Sequence, residues 1–225
     1  MLKAILIDVD DTLLDFGACS KMAMTQVFQQ MGHPLPDRLF EVFEEVNTAL
    51  WLQIQRGELD LETLYAVRWN QIFEKLNLPL DGVEFERNFL KQLGESAIAV
   101  DGAYEMLGYL RGKYTVCIAS NAPYDQQVKR LGKAEMLQYV QHLFISEKIG
   151  CEKPNSGFFA FCIQALQPIQ PHEMMMLGDS ISADMVGAKN MGIKTCWYNH
   201  HKTHLHGDDV ADYIIEDLRK VMNIV

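Results

Sequence analysis

Two aspartates near the start of the chain have a spacing that suits nucleophilic and acid–base chemistry. Asp8 ends an apolar run over residues 3–8, and Asp10 follows two positions later. Side chains two positions apart along a strand point the same way, so one carboxylate could attack a substrate while the other handles protons. A lone Asp-x-Asp is more typical of a turn or a solvated strand end. The pair therefore needs support from the rest of the chain.

Three later segments supply polar side chains of a related kind. Ser120 and Asn121 follow a second apolar run, Lys153 lies beyond a third, and Asp179 and Asp184 follow a fourth. Taken singly, a Ser-Asn pair is typical of a turn, a lysine of the surface, and an aspartate after glycine of a strand-to-helix connection. Their common position after strand-like runs favours a shared site over separate coincidences.

The elements that must position these residues alternate between strand and helix. Apolar runs of strand length suit strands buried on both faces of a parallel sheet, and helix-length segments lie between most of them. This alternation predicts an α/β fold with a doubly wound parallel sheet. The strand-like runs are residues 3–8, 114–119, 143–146, 174–177, 193–197 and 213–215, and the helix-length segments are residues 103–112, 124–138, 156–166 and 183–191.

Residues 18–95 have a different pattern. Their apolar side chains recur at helical spacing, and Gly32 and Gly57 stand where helices should stop. This predicts a subdomain of about four helices inserted after the first strand. The expected division is an α/β core of residues 1–15 and 98–225 and an all-helical subdomain of residues 16–97, with hinges at 15–17 and 95–102.

The strand-end carboxylates predict a metal site. In an open α/β sheet, ligands bind outside the carboxyl ends of the strands, so Asp8, Asp10, Asp179, Asp184 and Lys153 should share one crevice. At about 4 Å, each pair of like charges costs roughly 4 kcal/mol at an effective dielectric near 20. A divalent cation removes this cost, and carboxylate ligands favour Mg²⁺.

Composition limits the classes of partner. The chain has 225 residues, of which 48% are hydrophobic and 22% charged, which is typical of a globular protein. The formal net charge of −10 argues against tight binding to nucleic acid polymers or anionic membranes, but not against a small anionic substrate at a locally positive site. The sequence leaves open whether the protein is a monomer or a small homo-oligomer.

Cysteine usage and the N-terminus favour a cytoplasmic location. The five cysteines are odd in number and contain no Cys-x-x-Cys pair, a pattern typical of a reducing compartment. The N-terminal segment has no signal-peptide pattern, and no apolar run reaches the length of a membrane span. We therefore expect a soluble, cytoplasmic protein.

The four polar segments resemble the motif set of the haloacid dehalogenase superfamily. The helical insertion after the first motif is similar to the C1 type of cap found in that superfamily. The resemblance spans essentially the whole chain and implies a phosphatase. It implies that Asp8 is the nucleophile, which forms an aspartyl-phosphate, and that Asp10 is the general acid/base. Dehalogenases of the superfamily lack the second aspartate, so Asp10 argues against that activity.

The same resemblance implies roles for the remaining residues of the motifs. Ser120 would bind a phosphoryl oxygen with backbone support around Asn121, and Lys153 would bridge the nucleophile and the phosphate. The Mg²⁺ ligands would be Asp8, the backbone carbonyl of Asp10, and Asp179. Asp184 matches the second acid of the fourth motif, and direct and water-mediated metal binding both stay open for it.

A narrower resemblance concerns the substrate. Residues 8–16, 46–51 and 195–199 are similar to segments of a bacterial branch of pyrimidine 5′-nucleotidases, which implies pyrimidine nucleoside 5′-monophosphates as substrates. The helical subdomain should supply the discrimination. Phe16 or Trp51 could stack on a base, since stacking contributes about 1–3 kcal/mol.

Other functions remain to be weighed against a nucleotidase. One is a phosphatase for a small phosphorylated metabolite such as phosphoglycolate or a sugar phosphate, and a phosphomutase could use the same scaffold. A catalytically idle binding module is disfavoured because every position expected to carry chemistry is intact.

A histidine-rich segment follows the fifth strand-like run. It contains His200, His201, His204 and His206. Their spacing fits no established zinc pattern, so we interpret the segment as a polar surface loop, and its role stays open.

Overall fold

The protein folds into two compact units. The computed structural model describes residues 1–203 and 210–225. One unit comprises Met1–Phe16 and Ala97–Val225, and the other comprises Gly17–Ser96. Across the two described ranges, none of the helices combines the length and the apolar character needed to cross a bilayer.

The first unit is built on a parallel sheet. Within the described residues the sheet has six strands in the order β3-β2-β1-β4-β5-β6. The chain order reverses at β1, which pairs with β2 on one side and with β4 on the other, and such a switch point is where ligands bind in this fold class. The strands are β1 (Ala4–Ile7), β2 (Thr115–Ser120), β3 (His142–Ile145), β4 (Met174–Gly178), β5 (Lys194–Tyr198) and β6 (Tyr213–Ile215).

Both faces of the sheet are covered. Ile5 and Ile7 of β1 belong to one buried cluster, whereas Ala4 and Leu6 belong to a second cluster on the opposite face. This alternation follows from the two-residue period of a strand. The predicted class, a doubly wound α/β fold, is confirmed. The α-helices of this unit, in chain order after the inserted segment, are α5 (Ala103–Leu110), α6 (Tyr124–Lys133), α7 (Ser146–Ile149), α8 (Ser156–Ala165) and α9 (Val186–Asn190).

The second unit is helical. All residues of this unit are described. Its helices are α1 (Phe16–Gln30), α2 (Leu39–Gln55), α3 (Leu61–Leu76) and α4 (Gly82–Leu93). The first residue of α1, Phe16, is counted with the first unit. Trp69 is fully buried at its centre, with ring centroids 4.1 Å from Phe85 and 5.3 Å from Phe89. Aromatic side chains bury a large apolar area each, so this cluster contributes strongly to the stability of so small a core.

Two helix-length segments differ from their expected form. Residues 124–138 form α6 only as far as Lys133, and a 3₁₀ turn follows at Leu137–Tyr139. Glu135 between them has a φ of 54°, which is left-handed and cannot continue a helix. Residues 183–191 are divided between a π-helical turn, Ile181–Met185, and α9.

Candidate active site

Lys153 lies at the centre of the candidate active site. Its ammonium Nζ donates to Asp8 Oδ1 at 2.7 Å, to Asp184 Oδ1 at 2.6 Å and to the backbone oxygen of Ala119 at 2.6 Å. An ammonium has three protons, so these acceptors use all of them. The side chain is only 2% exposed. Lys153 is therefore held in one position between two carboxylates.

Three neighbouring strands deliver these groups to one edge of the sheet. Asp8 directly follows β1 and extends its ladder, because its backbone N–H donates to the oxygen of Leu177 at 2.9 Å. Ala119 belongs to β2, and Asp184 lies in the turn after β4. The backbone N–H of Ser180 donates to Asp184 Oδ2 at 3.2 Å. Both oxygens of Asp184 therefore have a donor.

Burial and mutual repulsion perturb the charged groups of the site. Burial raises the pKa of Asp8 to about 7, which Lys153 opposes and Asp184 reinforces. Burial also raises the pKa values of Asp179 and Asp184, and for Asp179 the carboxylates of Asp8 and Asp184 add to the effect. Burial opposes the charge on Lys153, but the carboxylates of Asp184 and Asp8 outweigh it and raise its pKa. The site thus holds more negative charge than its lysine balances.

Three carboxylates are arranged so that they could hold a cation. Among the described residues, Asp8, Asp179 and Asp184 each offer one oxygen, and these oxygens lie within 4.8 Å of one another. Oxygen-only ligands suit a hard divalent ion such as Mg²⁺, and such an ion would relieve the repulsion that raises their pKa values. The donor set therefore fits magnesium.

Asp179 is contacted by two side chains to which the sequence analysis gave no individual role. The hydroxyl of Thr12 lies 3.5 Å from Asp179 Oδ1, at the limit of a hydrogen bond. The indole Nε1 of Trp197 donates to the backbone oxygen of Asp179 at 2.8 Å. Trp197 lies on β5, so the strand next to β4 helps to place the backbone of Asp179.

Asp10 lies in a second cluster, with partners that the sequence analysis missed. Arg130 Nη1 donates to Asp10 Oδ1 at 2.6 Å, and Gln127 Nε2 donates to Asp10 Oδ2 at 2.9 Å. Both partners are on α6, and both are almost fully buried. A signal was available, because Gln127 and Arg130 share the inward helical stripe with Leu131 and Ala134, where polar side chains are unusual.

Ser120 and Asn121 have different surroundings. Ser120 is buried at the end of β2, and its Oγ accepts from Gln127 Nε2 at 2.8 Å. The side chain of Asn121 binds the backbone of Lys153 twice, donating to its oxygen at 2.9 Å and accepting from its N–H at 2.8 Å. Asn121 therefore places the lysine through its side chain, and its backbone is the part that could face a phosphate.

The remaining candidates lie outside these two clusters. Phe16 begins α1, is partly exposed, and donates its backbone N–H to Asp11 Oδ1 at 2.9 Å. Trp51 lies on α2 of the helical unit and is partly exposed. The rings of His200 and His201 have centroids 3.8 Å apart. His204 and His206 lie outside the described residues, so the histidine segment keeps its open role.

Comparison with known proteins gives a family and several relatives. A model of the haloacid dehalogenase-like hydrolases matches residues 2–192. The pyrimidine 5′-nucleotidase PynA of Streptococcus pneumoniae is 29% identical over 222 residues, which cover 98% of this chain and 94% of that protein. The glyceraldehyde 3-phosphate phosphatase of Pyrococcus furiosus is 28% identical over 239 residues, with 100% and 93% covered.

A solved structure from the same kind of hydrolase is also similar to this chain. The putative hydrolase YfnB from Bacillus subtilis, crystallised with magnesium, superposes with a TM-score of 0.93 at 25% identity, covering 99% of this chain and 98% of that one. The resemblance inferred from the sequence motifs is confirmed. The chain belongs to the haloacid dehalogenase-like hydrolase family, and it is a phosphatase of that family.

Proposed function

We propose that this phosphatase is a Mg²⁺-dependent phosphomonoester hydrolase that works through a phosphorylated Asp8. The observation that carries the proposal is the fixed contact between Asp8 and Lys153, 2.7 Å long, within a group of three carboxylates. A carboxylate is a weak nucleophile toward a phosphate dianion, so it needs cationic neighbours that hold and screen both groups. Lys153 supplies one of them.

The first half-reaction transfers the phosphoryl group to the protein. A carboxylate oxygen of Asp8 forms a bond to phosphorus as the bond from phosphorus to the leaving oxygen breaks. Protonated Asp10 gives its proton to that oxygen, so an alcohol leaves. The positive charge of Lys153 and the hydroxyl of Ser120 stabilise the phosphoryl oxygens, and backbone N–H groups near Asn121 assist.

The second half-reaction releases phosphate. Ionised Asp10 takes a proton from water, whose oxygen attacks phosphorus and displaces the carboxylate of Asp8. Asp10 is thereby protonated again and Asp8 is restored. The same residue thus acts as acid and then as base.

The proposed magnesium ligands are Asp8, Asp179 and the backbone carbonyl of Asp10, with Asp184 binding directly or through water. When bound, the ion would screen the carboxylates from the phosphate and align the two. Asp184 already binds Lys153 and the N–H of Ser180. We therefore favour a water-mediated contact for Asp184.

For the substrate we propose a pyrimidine nucleoside 5′-monophosphate. Identity to PynA across nearly the full chain supports this, as do the three similar segments. Within those segments the structure gives Asn47 and Trp197 other contacts, since Asn47 binds Arg68 and Trp197 binds Asp179. Phe16 and Trp51 are partly exposed, so they are the aromatic side chains that we propose for stacking on the base.

A second candidate substrate class is a small sugar phosphate or phosphoglycolate. The near-equal identity to the glyceraldehyde 3-phosphate phosphatase of Pyrococcus furiosus, 28%, supports it. Both classes use the same chemistry at phosphorus. They differ only in what must be recognised beyond the phosphate.

A phosphate-release screen tests the proposal. Purified protein with Mg²⁺ should hydrolyse UMP, dUMP or dTMP faster than glyceraldehyde 3-phosphate and phosphoglycolate. Asp8→Asn should abolish turnover, and Asp10→Asn should reduce it by about 100-fold or more, the contribution of acid–base catalysis. Activity confined to sugar phosphates would overturn the nucleotide assignment alone. Near wild-type activity in Asp8→Asn would overturn the mechanism.

A further inference from the structure

Two buried polar residues of α6 have no place in the mechanism described so far. Gln127 and Arg130 are one helical turn apart, and their side chains are 0% and 1% exposed. We propose that both are positioning residues, which hold Asp10 for proton transfer and orient the hydroxyl of Ser120 toward the phosphoryl group. This inference rests on the proposed role of Asp10 as general acid and base.

The contacts hold the Asp10 carboxylate from both sides. Its Oδ1 accepts from Arg130 Nη1 at 2.6 Å, and its Oδ2 accepts from Gln127 Nε2 at 2.9 Å. With a donor on each oxygen, rotation of the carboxylate would break a hydrogen bond. Asp10 is about one-third exposed, at 30%, whereas its two partners are buried, so the helix supplies the fixed side of the contact.

Arg130 also determines which way the Gln127 amide points. Arg130 Nη1 donates to Gln127 Oε1 at 3.0 Å. A guanidinium has no acceptor, so it can bind only the oxygen end of the amide. The nitrogen end must then face Asp10 and Ser120, as observed.

Gln127 in turn orients Ser120. The same Nε2 that binds Asp10 donates to Ser120 Oγ at 2.8 Å. A serine hydroxyl that accepts a bond from an N–H keeps its own hydrogen for another acceptor. A phosphoryl oxygen bound at this edge of the sheet is such an acceptor. One amide therefore holds the carboxylate of Asp10 in place and leaves the hydroxyl of Ser120 free to donate to a phosphoryl oxygen.

A comparison of two leaving groups tests this inference. Loss of an alcohol from dUMP, or from glyceraldehyde 3-phosphate if the screen favours it, needs a proton, whereas p-nitrophenolate leaves p-nitrophenyl phosphate without one. The value of kcat/KM reports only steps up to formation of phosphorylated Asp8. Arg130→Met should lower kcat/KM about 100-fold for the alkyl phosphate. It should lower kcat/KM less than about fivefold for p-nitrophenyl phosphate, because Asp10 Oδ2 still accepts from Gln127 Nε2 and keeps the amide nitrogen near Ser120.

Further variants separate positioning from folding. Arg130→Lys, which keeps the charge, should recover part of the activity toward the alkyl phosphate. Lys133→Met, at an exposed position of the same helix, should leave both substrates unchanged. Gln127→Met keeps the pair between Asp10 and Arg130 and should lower kcat/KM for both substrates, because Ser120 acts on each. If Arg130→Met does not fold, the positioning role is tested with Gln127→Met and Arg130→Lys instead.

The outcomes distinguish this inference from the proposed function. An equal fall in kcat/KM for both substrates in Arg130→Met would overturn the positioning role. An unchanged kcat/KM in both Arg130→Met and Gln127→Met would overturn it as well. Asp10→Asn is measured beside them, and it should show the same selective loss on the alkyl phosphate. If Asp10→Asn lacked that selectivity while Asp8→Asn was inactive, the role assigned to Asp10 would be wrong and the phosphatase assignment would stand.

Discussion

At Gly178, the last residue of β4, the carboxylate of Asp184 occupies the space that a side chain would need. An added Cβ would overlap Asp184 Oδ2 and lie 2.6 Å from its Cγ. The same carboxylate binds Lys153 at 2.6 Å. We therefore expect Gly178→Ala to displace Asp184, shift Lys153 and lower kcat by about 100-fold, the usual effect of misplacing a catalytic group by 1 Å. Steady-state phosphatase assays measure this effect.

Gly108 is a matched control for this substitution. It lies inside α5 of the same unit, and nothing is within 4 Å of the position that a Cβ would take. Gly108→Ala should leave kcat unchanged and stabilise the protein by about 0.5–1 kcal/mol, because alanine favours a helix interior. Full activity in Gly178→Ala would mean that Asp184 does not hold Lys153 for catalysis.

The residues that sequence reasoning could find lie at the ends of strands or in the segments that follow them. Asp8, Lys153 and Asp184 were predicted to meet because the ends of parallel strands share an edge. Arg130 was missed because its partner Asp10 lies 120 positions away, and no short pattern marks that contact. Its position with Gln127 on a helical stripe that also carries the apolar Leu131 and Ala134 was the local sign of a functional role.

At the scale of elements, α2, α3 and α4 of the helical unit are joined by a buried ion pair. Arg68 on α3 binds Glu86 on α4 through two hydrogen bonds, and also donates to Asn47 on α2 at 2.8 Å. The guanidinium and carboxylate are 3% and 4% exposed. Burial raises the pKa of Glu86, with Arg68 opposing. The pair therefore stabilises the unit only while both charges are present.

A double-mutant cycle should reveal this coupling. We expect Arg68→Met and Glu86→Leu each to lower the free energy of unfolding by about 3–5 kcal/mol, because each leaves a buried charge without its partner. The double variant should lose less than either single variant. Urea unfolding followed by far-ultraviolet circular dichroism measures all three.

An exposed pair in the same unit provides the comparison. Lys75 and Glu45 are 3.0 Å apart, with side chains 48% and 61% exposed. Removing either should cost no more than about 1 kcal/mol, since solvent screens the pair. If the losses at Arg68 and Glu86 were additive in the double variant, the buried pair would not be coupled and this account of the helical unit would fail.

Element type was predictable from the sequence, whereas some element ends were not. The six strand-like runs all form strands. At the centre of the sheet, β1 and β4 are buried along their whole length, which explains why their sequences are continuously apolar. Residues 183–191 were expected to form an ordinary helix, but the first three of them lie in a π-helical turn, Ile181–Met185. Asp184 within it is drawn inward to Lys153, and such wide turns are frequent at functional sites. The contact joins residues 31 positions apart, so no local sequence pattern predicts it.

At the scale of the whole molecule, the net charge and the charge of the site act differently on anions. The net charge of −10 repels large polyanions. Near the predicted catalytic residues, however, two buried cations, Lys153 and Arg130, face four carboxylates. A divalent ion would balance the remaining negative charge. A small phosphate ester would then meet a neutral or locally positive site on an acidic protein.

This charge balance predicts that Mg²⁺ stabilises the whole first unit. The ion would bind the carboxylates of the folded protein but not the unfolded chain. At a Mg²⁺ concentration 100 times its Kd, it should therefore stabilise the fold by about 2.7 kcal/mol and raise Tm by about 5–10 °C. Thermal unfolding with Mg²⁺ and with a chelator measures the shift. Asp179→Asn should abolish most of the increase, whereas Asp37→Asn, at an exposed position of the helical unit, should retain it. An equal increase in both variants would mean that Asp179 is not a ligand, and no increase in the wild type would exclude a magnesium site of this affinity among these carboxylates.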